Sequence, residues 1–489
     1  MTWDYRRIKR EAKEQGISVT DLCALAAKND PFYTGRPSEV AAAEWFAGLW
    51  WRFGYGTGVH LRRVHYQIVS QDTPITYPHR DHPAGKPYEN TEGDWGYLCE
   101  AGKYARYLGL VSSEAFEDRR NPEAIINARW KSPDDWSYED PTPGYRVVQE
   151  DWDNELPDLP ELEGLPDDLP DLPDFEVTGY ANSWGSLVQQ SYHVEVWAEK
   201  TTMNDVLEPL CRRYKVNLVT GAGEMSITSV VDFMERVRKA DRPARILYVS
   251  DYDPAGLGMP ISVARKIEFF QRQNGDGSLD IRLHPIVLTT DQVEEYNLPR
   301  VPVKDSDLRK ANWETYHGKG QTELDALEAL YPGKLAEIVK TAILDYYDPD
   351  LDSKTREAKE ELETDLADRR AEVLEVYRDD LDDIGADYDN LVWEMDALRE
   401  RFAELVEPFR EEIEAYRERL DDIRERWQRL VEGLVDDLKG MDVDLDDYPL
   451  PEPDLPLESD GLLYISGRDY LEQLGHYRAY REGHNGGER

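Results

Sequence analysis

Two apolar strands that each run into acid constrain this chain more than any other stretch. HVEVWAEK carries an apolar run up to Glu199, and ARILYVSDYDPAG carries a longer one up to Asp251 and Asp253. Short runs rich in β-branched and aromatic residues, bounded by turn formers, read as buried parallel strands. Between them, VLEPLCRRYKV has helical spacing at Val206, Leu207, Leu210 and Cys211. NLVTGAGEMSITSVVDFMERVRKA then gives a short strand, a turn at Gly221 and Gly223, and a second amphipathic helix. Strand, acid, helix, strand, glycine turn, helix, strand and acid-x-acid together close a βαβαβ unit. The three carboxylates fall just past the strand ends, where the loops of an open α/β sheet converge on a ligand crevice.

Three converging carboxylates repel one another unless a hard cation neutralises them. Mg²⁺ suits one or two carboxylates together with water and phosphate oxygens, so Glu199, Asp251 and Asp253 read as a phosphate-handling metal site. Asp and Glu number 101 among 489 residues, and an acid-x-acid pair alone carries little weight in such a chain. Position after two separate strands singles these three out. Glu323 and Asp325 in ELDAL are second-rank candidates that either join the cluster or cap a helix.

The Glu after one strand and the Asp-x-Asp after a later one resemble the signature of the Toprim domain. Glu199–Lys200, Gly221 and Gly223, and DYDPAG are most similar to the form in the A subunit of type VI (IIB) DNA topoisomerase and its meiotic double-strand-break relatives. The resemblance covers roughly 150 residues. It implies an α/β Toprim fold, a parallel sheet with flanking helices, and a role in cutting DNA. It also implies that a tyrosine on a winged-helix domain is the nucleophile. LRRVHY resembles that motif, with Arg62 four residues before Tyr66 and His65 where the family has the first of two tyrosines. A tyrosine hydroxyl titrates near 10 and needs a cation or base beside it; Arg62, Arg63 and His65 are the neighbours. The plain reading of Tyr66 is a half-buried residue of an amphipathic helix.

The net charge is −43 and the acid is spread along the whole chain, a balance that suits high cytoplasmic salt. At molar salt the Debye length is about 3 Å, so close contacts decide whether DNA binds. Cys23, Cys99 and Cys211 form no CxxC pair, which leaves buried thiols as the reading. No apolar run is long enough to span a bilayer, and a soluble, cytoplasmic protein is expected.

Residues 1–56 read as N-terminal helices, among them TDLCALAAK and a helix with Ala42, Trp45, Phe46, Leu49 and Trp50 on one core face. Residues 57–144 read as a winged-helix-like α+β domain whose local cations, Arg63, Lys103, Arg106, Arg119 and Arg120, are candidate DNA contacts. His79 and His82 sit in a Pro-rich loop without partners at zinc spacing. Residues 145–182 are rich in Pro and acid and read as an extended linker. The Toprim-like domain takes 183–350.

Residues 351–441 read as a charged coiled coil with Leu381, Ile384, Tyr388, Leu391 and Leu398 on its first seam and Leu420, Ile423, Trp427 and Leu430 on its second. Pro408 should break the helix and Gly385 weaken it. An intramolecular hairpin and a homodimer fit the pattern equally. The tail, 442–489, holds a short strand and a helix.

The expected function is Mg²⁺-dependent DNA cleavage, with rejoining by Tyr66 and Glu199 as acid. The subunit would form a homodimer and work with a separate ATPase subunit, since the chain has no P-loop. A Toprim nuclease that uses water, within a defence complex, is the rival; a non-catalytic DNA-binding scaffold is the third reading.

Overall fold

A computed structural model describes residues 3–118, 121–128, 144–149, 172–173, 175–181, 188–275, 279–402, 410–439, 448–456 and 461–483. The chain begins with α1 (Tyr5–Gln15) and α2 (Pro37–Arg52). TDLCALAAK does not form the expected helix; only a single 3-10 turn, Val19–Leu22, survives there. Ser18 and Asp21 cap that turn reciprocally, and the Asp30 carboxylate takes the amides of Ala24 and Leu25, so side chains compete successfully with helical backbone bonds.

Next come α3 (Leu61–Val69), an antiparallel hairpin of β1 (Thr76–His79) and β2 (His82–Pro87), and α4 (Glu92–Tyr107). Phe46, Trp50, Val64, Ile68 and Leu98 form the core of this lobe. The Trp-bearing face of α2 is thus core, with Trp45 at its edge donating to the carbonyl of Thr76 at 2.9 Å. His79 and His82 flank the hairpin turn rather than lying in an open loop.

The long acidic stretch ends in two paired strands, β3 (Gly144–Gln149) and β4 (Phe175–Tyr180). Composition predicts a tether over 145–182. Its two ends instead pair through alternating apolar residues such as Val147 and Val177, while 150–171 lie outside the described residues.

The central sheet matches the strand–helix order read from sequence. Its elements are β5 (His193–Ala198), α5 (Asn204–Arg213), β6 (Asn217–Thr220), α6 (Ile227–Ala240), β7 (Ala244–Val249), α7 (Gly258–Asn274) and β8 (Ile281–Val287). Short helices α8 (Thr290–Glu295), α9 (Lys310–His317), α10 (Leu324–Leu330) and α11 (Lys334–Leu344) come next. Far along the chain, after α12 (Leu351–Phe402) and α13 (Arg410–Lys439), β9 (Tyr464–Ile465) adds an antiparallel edge strand and α14 (Tyr470–Arg481) closes the described chain. The strand order is β6-β5-β7-β8-β9, with β6, β5, β7 and β8 parallel.

Both faces of the sheet are covered, which is why its strands read as unbroken apolar runs. Trp197, Ile246 and Tyr248 point to the layer of α6 and α7. Val196, Ala198, Leu247 and Val249 point to the layer of α5 and α11. The β6 edge is covered by Ile125, whose backbone exchanges hydrogen bonds with Leu218 at 2.8 and 3.0 Å.

Two internally connected units divide the chain: residues 1–135, 190–349 and 453–489 form one, and 136–189 with 350–452 form the other. In the second, α12 and α13 run antiparallel. Arg426 pairs with Asp387 and Arg419 with Glu394, and Ile384, Tyr388 and Leu391 meet Leu420, Ile423 and Trp427. The heptad seam is therefore satisfied within one chain as a hairpin. Gly385 does not interrupt α12, because long flanking helix offsets the cost of a single glycine; Pro408 lies outside the described residues. The strand pair packs on this arm, with the Tyr145 hydroxyl donating to Leu366 and Arg370 donating to the Val177 carbonyl.

Two buried polar networks pin the first unit. Glu195, fully buried on β5, accepts from Trp197 at 2.9 Å, Asn217 at 3.1 Å and the Arg236 fork at 2.7 and 2.8 Å, and lies 2.8 Å from His193. Burial alone would raise its carboxyl, but Arg236 and His193 outweigh that and hold it far below the usual range. Arg265 on α7 likewise bridges Asp30, Glu268 and Tyr470, tying N-terminal and C-terminal segments to one helix.

Arg236→Met should leave the buried Glu195 charge unmatched and cost about 3 kcal/mol or more, read as a lower denaturation midpoint in molar KCl. Because the Glu195 pKa is depressed by folding, its stabilisation is present above pH 4.5 and lost on acidification. The variant should therefore narrow its gap to wild type as pH falls.

Candidate active site at the carboxyl rim of the sheet

Strands β5 and β7 are hydrogen-bonded neighbours in register from His193–Ala244 to Ala198–Val249, so their carboxyl ends coincide. Glu199 is the first residue past β5, and its amide donates to Val249 at 3.0 Å. Asp251 and Asp253 come just after β7. The Asp251 amide donates to the Glu199 carboxylate at 3.2 Å. All three sequence-predicted acids thus share one rim.

Each acid has a different setting. Glu199 is 7% exposed; burial, then the charges of Asp251 and Asp253, push its carboxyl up to about 7. Asp251, also buried, accepts from the Leu324 amide at 2.9 Å at the start of α10 and from the Lys200 ammonium at 2.6 Å. Burial raises its carboxyl, and Lys200 pulls it part of the way back. Asp253 accepts from the amides of Ala255 and Gly256 at 2.7 and 2.6 Å and folds the DYDPAG loop around itself. Gly256 is required here because a β-carbon would stand 2.2 Å from the Asp251 carbonyl oxygen.

Lys200 is the residue that sequence reasoning misses. Its ammonium touches Asp251 and reaches Glu323 at 3.4 Å and Asp325 at 3.8 Å. Burial works against its charge, but the bond to Asp251 wins and raises it. Its position directly after Glu199 is the one signal that could have found it. Glu323 and Asp325 are half a turn apart at the start of α10 and exposed, and they face Lys200 rather than the three rim acids.

The donor set is oxygen only, as a hard divalent cation prefers, and the Glu199 carboxyl is raised first by burial and then by the charges of Asp251 and Asp253. Yet among the described residues no three His, Cys, Asp or Glu side chains stand in a geometry that would hold a metal ion. Lys200 occupies the cation position on Asp251 instead. The donors are of the type that Mg²⁺ takes, but their arrangement in this structure does not by itself form a metal-holding group.

The helix-borne candidates divide. Tyr66 is 57% exposed on α3, so it is not the half-buried core residue its helix pattern suggests. Arg62, one turn before it, and Arg63 are exposed too. No hydrogen bond or ion pair joins Tyr66 to the rim acids among the described residues. His65 is not an available base: it is 6% exposed, with Nδ1 2.7 Å from the Tyr88 hydroxyl and Nε2 3.0 Å from Asn90 Oδ1. Both ring nitrogens are engaged.

Among the candidate DNA contacts, Arg106 needs correction. It is 5% exposed, binds the Ser113 carbonyl and Thr228, and packs on the Phe116 ring; burial lowers its guanidinium to about 10. It positions α4 against α6 instead of facing solvent. Lys103 is neutralised by Glu100 at 2.6 Å. Arg119 and Arg120 lie outside the described residues. The thiols behave as read, with Cys23 and Cys211 buried and pushed up to about 12 by desolvation, and half-buried Cys99 to about 11.

Folding raises the Glu199 carboxyl from 4.5 to about 7, so the native state binds the extra proton and stability falls as pH rises across that window. In chelator, wild type should lose about 3 kcal/mol more than Glu199→Gln between pH 5 and pH 8, measured by urea denaturation at fixed salt.

No helix among the described residues is long and apolar enough to cross a membrane. No protein-family model matches the chain and no curated protein is significantly similar to it.

Proposed function

We propose that this chain is a Toprim-type enzyme that cuts DNA strands, resembling the A subunit of topoisomerase VI, with its chemistry at the Glu199–Asp251–Asp253 rim. The observation that carries this reading is the convergence of three acids on two adjacent parallel strands, with Glu199 raised by burial and then by its acidic neighbours. A site built for general structural purposes would pair each acid with its own cation, as Glu195 is paired with Arg236.

In this reading the helix–hairpin–helix lobe serves as the winged-helix-like grip on duplex DNA, and Tyr66 attacks a phosphodiester. The tyrosine oxygen forms a bond to phosphorus as the bond to one deoxyribose oxygen breaks, and the phenolic proton passes to that leaving oxygen. One phosphodiester replaces another, so rejoining needs no outside energy. Arg62, on the same helical face as Tyr66, orients the phosphate. Glu199, with a pKa near the working pH, suits proton transfer during rejoining. Mg²⁺ held by Asp251 and Asp253, with Glu199, would stabilise charge on the scissile phosphate. Lys200 keeps Asp251 ionised and the rim assembled until then.

The water-using Toprim nuclease differs in one respect, since Tyr66 is then dispensable. Supercoiled plasmid in molar KCl with Mg²⁺, resolved with and without protease treatment, separates the two. Asp251→Ala should reduce cleavage about a hundredfold or more. Tyr66→Phe should abolish protein-linked DNA and nicking together; nicking retained without linkage would transfer the reading to the nuclease. Intact plasmid with wild-type protein that still binds DNA would instead point to a scaffold.

A further inference from the structure

Beside the rim lies a second cavity of about 430 Å³, enclosed by the DYDPAG loop, the first turn of α7, α9 and the last turn of α14. That volume suits a small organic ligand. Its walls are divided in character. Leu25, Leu257 and Met259 give it an apolar side, while Arg309 and Arg481 give it a cationic one.

The charge of the cavity is unusual for a chain of net −43. Arg481 is half-buried, and burial lowers its guanidinium. Among the described residues no carboxylate pairs with it. Asp30, whose charge acts on it, is already committed to Arg265 at 3.1 Å. Its backbone is fixed, since the Arg481 carbonyl binds His317 Nε2 at 2.8 Å, and His317 in turn contacts the Tyr252 hydroxyl at 3.2 Å. Arg309 is already committed, its fork taken by the Asp307 carboxylate at 2.9 and 2.8 Å and its third nitrogen by the Pro254 carbonyl at 3.2 Å, so Arg481 is the cation left without a carboxylate among the described lining residues. The acid on the wall, Glu224, is neutralised by Lys266 at 2.9 Å and by the Ser262 hydroxyl at 2.6 Å.

A half-buried guanidinium without a carboxylate leaves charge that an anionic ligand can pair. Planar guanidinium forks match phosphate better than any other common anion, and the N-terminal turn of a 17-residue helix adds favourable potential. The apolar wall calls for a ring or hydrocarbon attached to the anion.

We propose that this cavity binds a nucleoside phosphate monoester, with the phosphate on Arg481 and the base against Leu25, Leu257 and Met259. The source is either a free nucleotide or the phosphorylated end of a DNA strand. This goes beyond the cleavage reading and holds whether or not the rim acids carry metal.

Calorimetric titration of the full-length protein in molar KCl with chelator tests it. Deoxyadenosine monophosphate should bind, and deoxyadenosine at least tenfold more weakly. Arg481→Gln should weaken the nucleotide about tenfold, with Arg481→Lys between it and wild type. A 5′-phosphorylated oligonucleotide that outcompetes the mononucleotide, while its unphosphorylated form does not, identifies a strand end as the source; the reverse identifies a free nucleotide. Three results would overturn the proposal. One is no binding of either phosphorylated probe below about 1 mM. Another is unchanged nucleotide affinity in an Arg481→Gln protein that melts like wild type. The third is inorganic phosphate binding as tightly as the nucleotide, which would leave an anion site without a base subsite.

Discussion

Like charge held at one edge of a buried sheet is the constraint on which the rest of this structure turns. Parallel pairing of β5 and β7 makes their carboxyl ends coincide, and burial deprives Glu199 and Asp251 of the water that would otherwise screen them. The protein answers with one ammonium, Lys200, two backbone amides on Asp253 and one on Asp251. That answer is incomplete. Asp251 is compensated only in part, and Glu199, buried beside it with one backbone amide on its carboxylate, holds its proton towards neutral pH. An arrangement of this kind favours a cation or a proton arriving during a reaction.

The interior treats its other acids differently. Glu195 and Asp30 are at least as buried as Glu199, yet Glu195 is gripped by the Arg236 fork and Asp30 by Nε of Arg265 with the amides of Ala24 and Leu25. Such pairs fix which helix lies on which strand without needing to add net stability. In a chain so rich in acid, the arginines used inside are unavailable outside. Arg106, Arg236 and Arg265 all serve packing, which leaves the α3 surface around Arg62 and Arg63 as the cationic face nearest Tyr66. Arg481 is the exception, a half-buried cation lining a cavity.

The second unit obeys another logic. Its helices satisfy their apolar seam against each other and carry charge elsewhere, so α12 and α13 need no partner chain to bury Leu391 or Trp427. The strand pair at its base turns both ends of the acidic segment into part of the arm, through apolar alternation too short to stand out in the sequence.

Periodicity is enough to read the βαβαβ unit, because strands covered on both faces must be apolar throughout and their helices must be amphipathic. The acids at strand ends are legible for the same reason: once two runs are parallel neighbours, the residues just past their ends must meet. The core role of the Trp face and the buried thiols are likewise local properties. Other features depend on contacts distant in sequence. Whether Tyr66 faces solvent, that His65 is locked by Tyr88 and Asn90, and that Arg106 points inward are decided by neighbours at least seven residues away. That Lys200 rests on Asp251 across 51 positions, and that Arg481 meets the loop after Asp253, result from a sheet that takes its last strand from near the end of the chain. A sequence determines which residues can be buried and at what period. Only the closed tertiary structure decides which charges are left facing one another, because electrostatic partners are chosen by distance in space and by loss of water, and neither is written in local order.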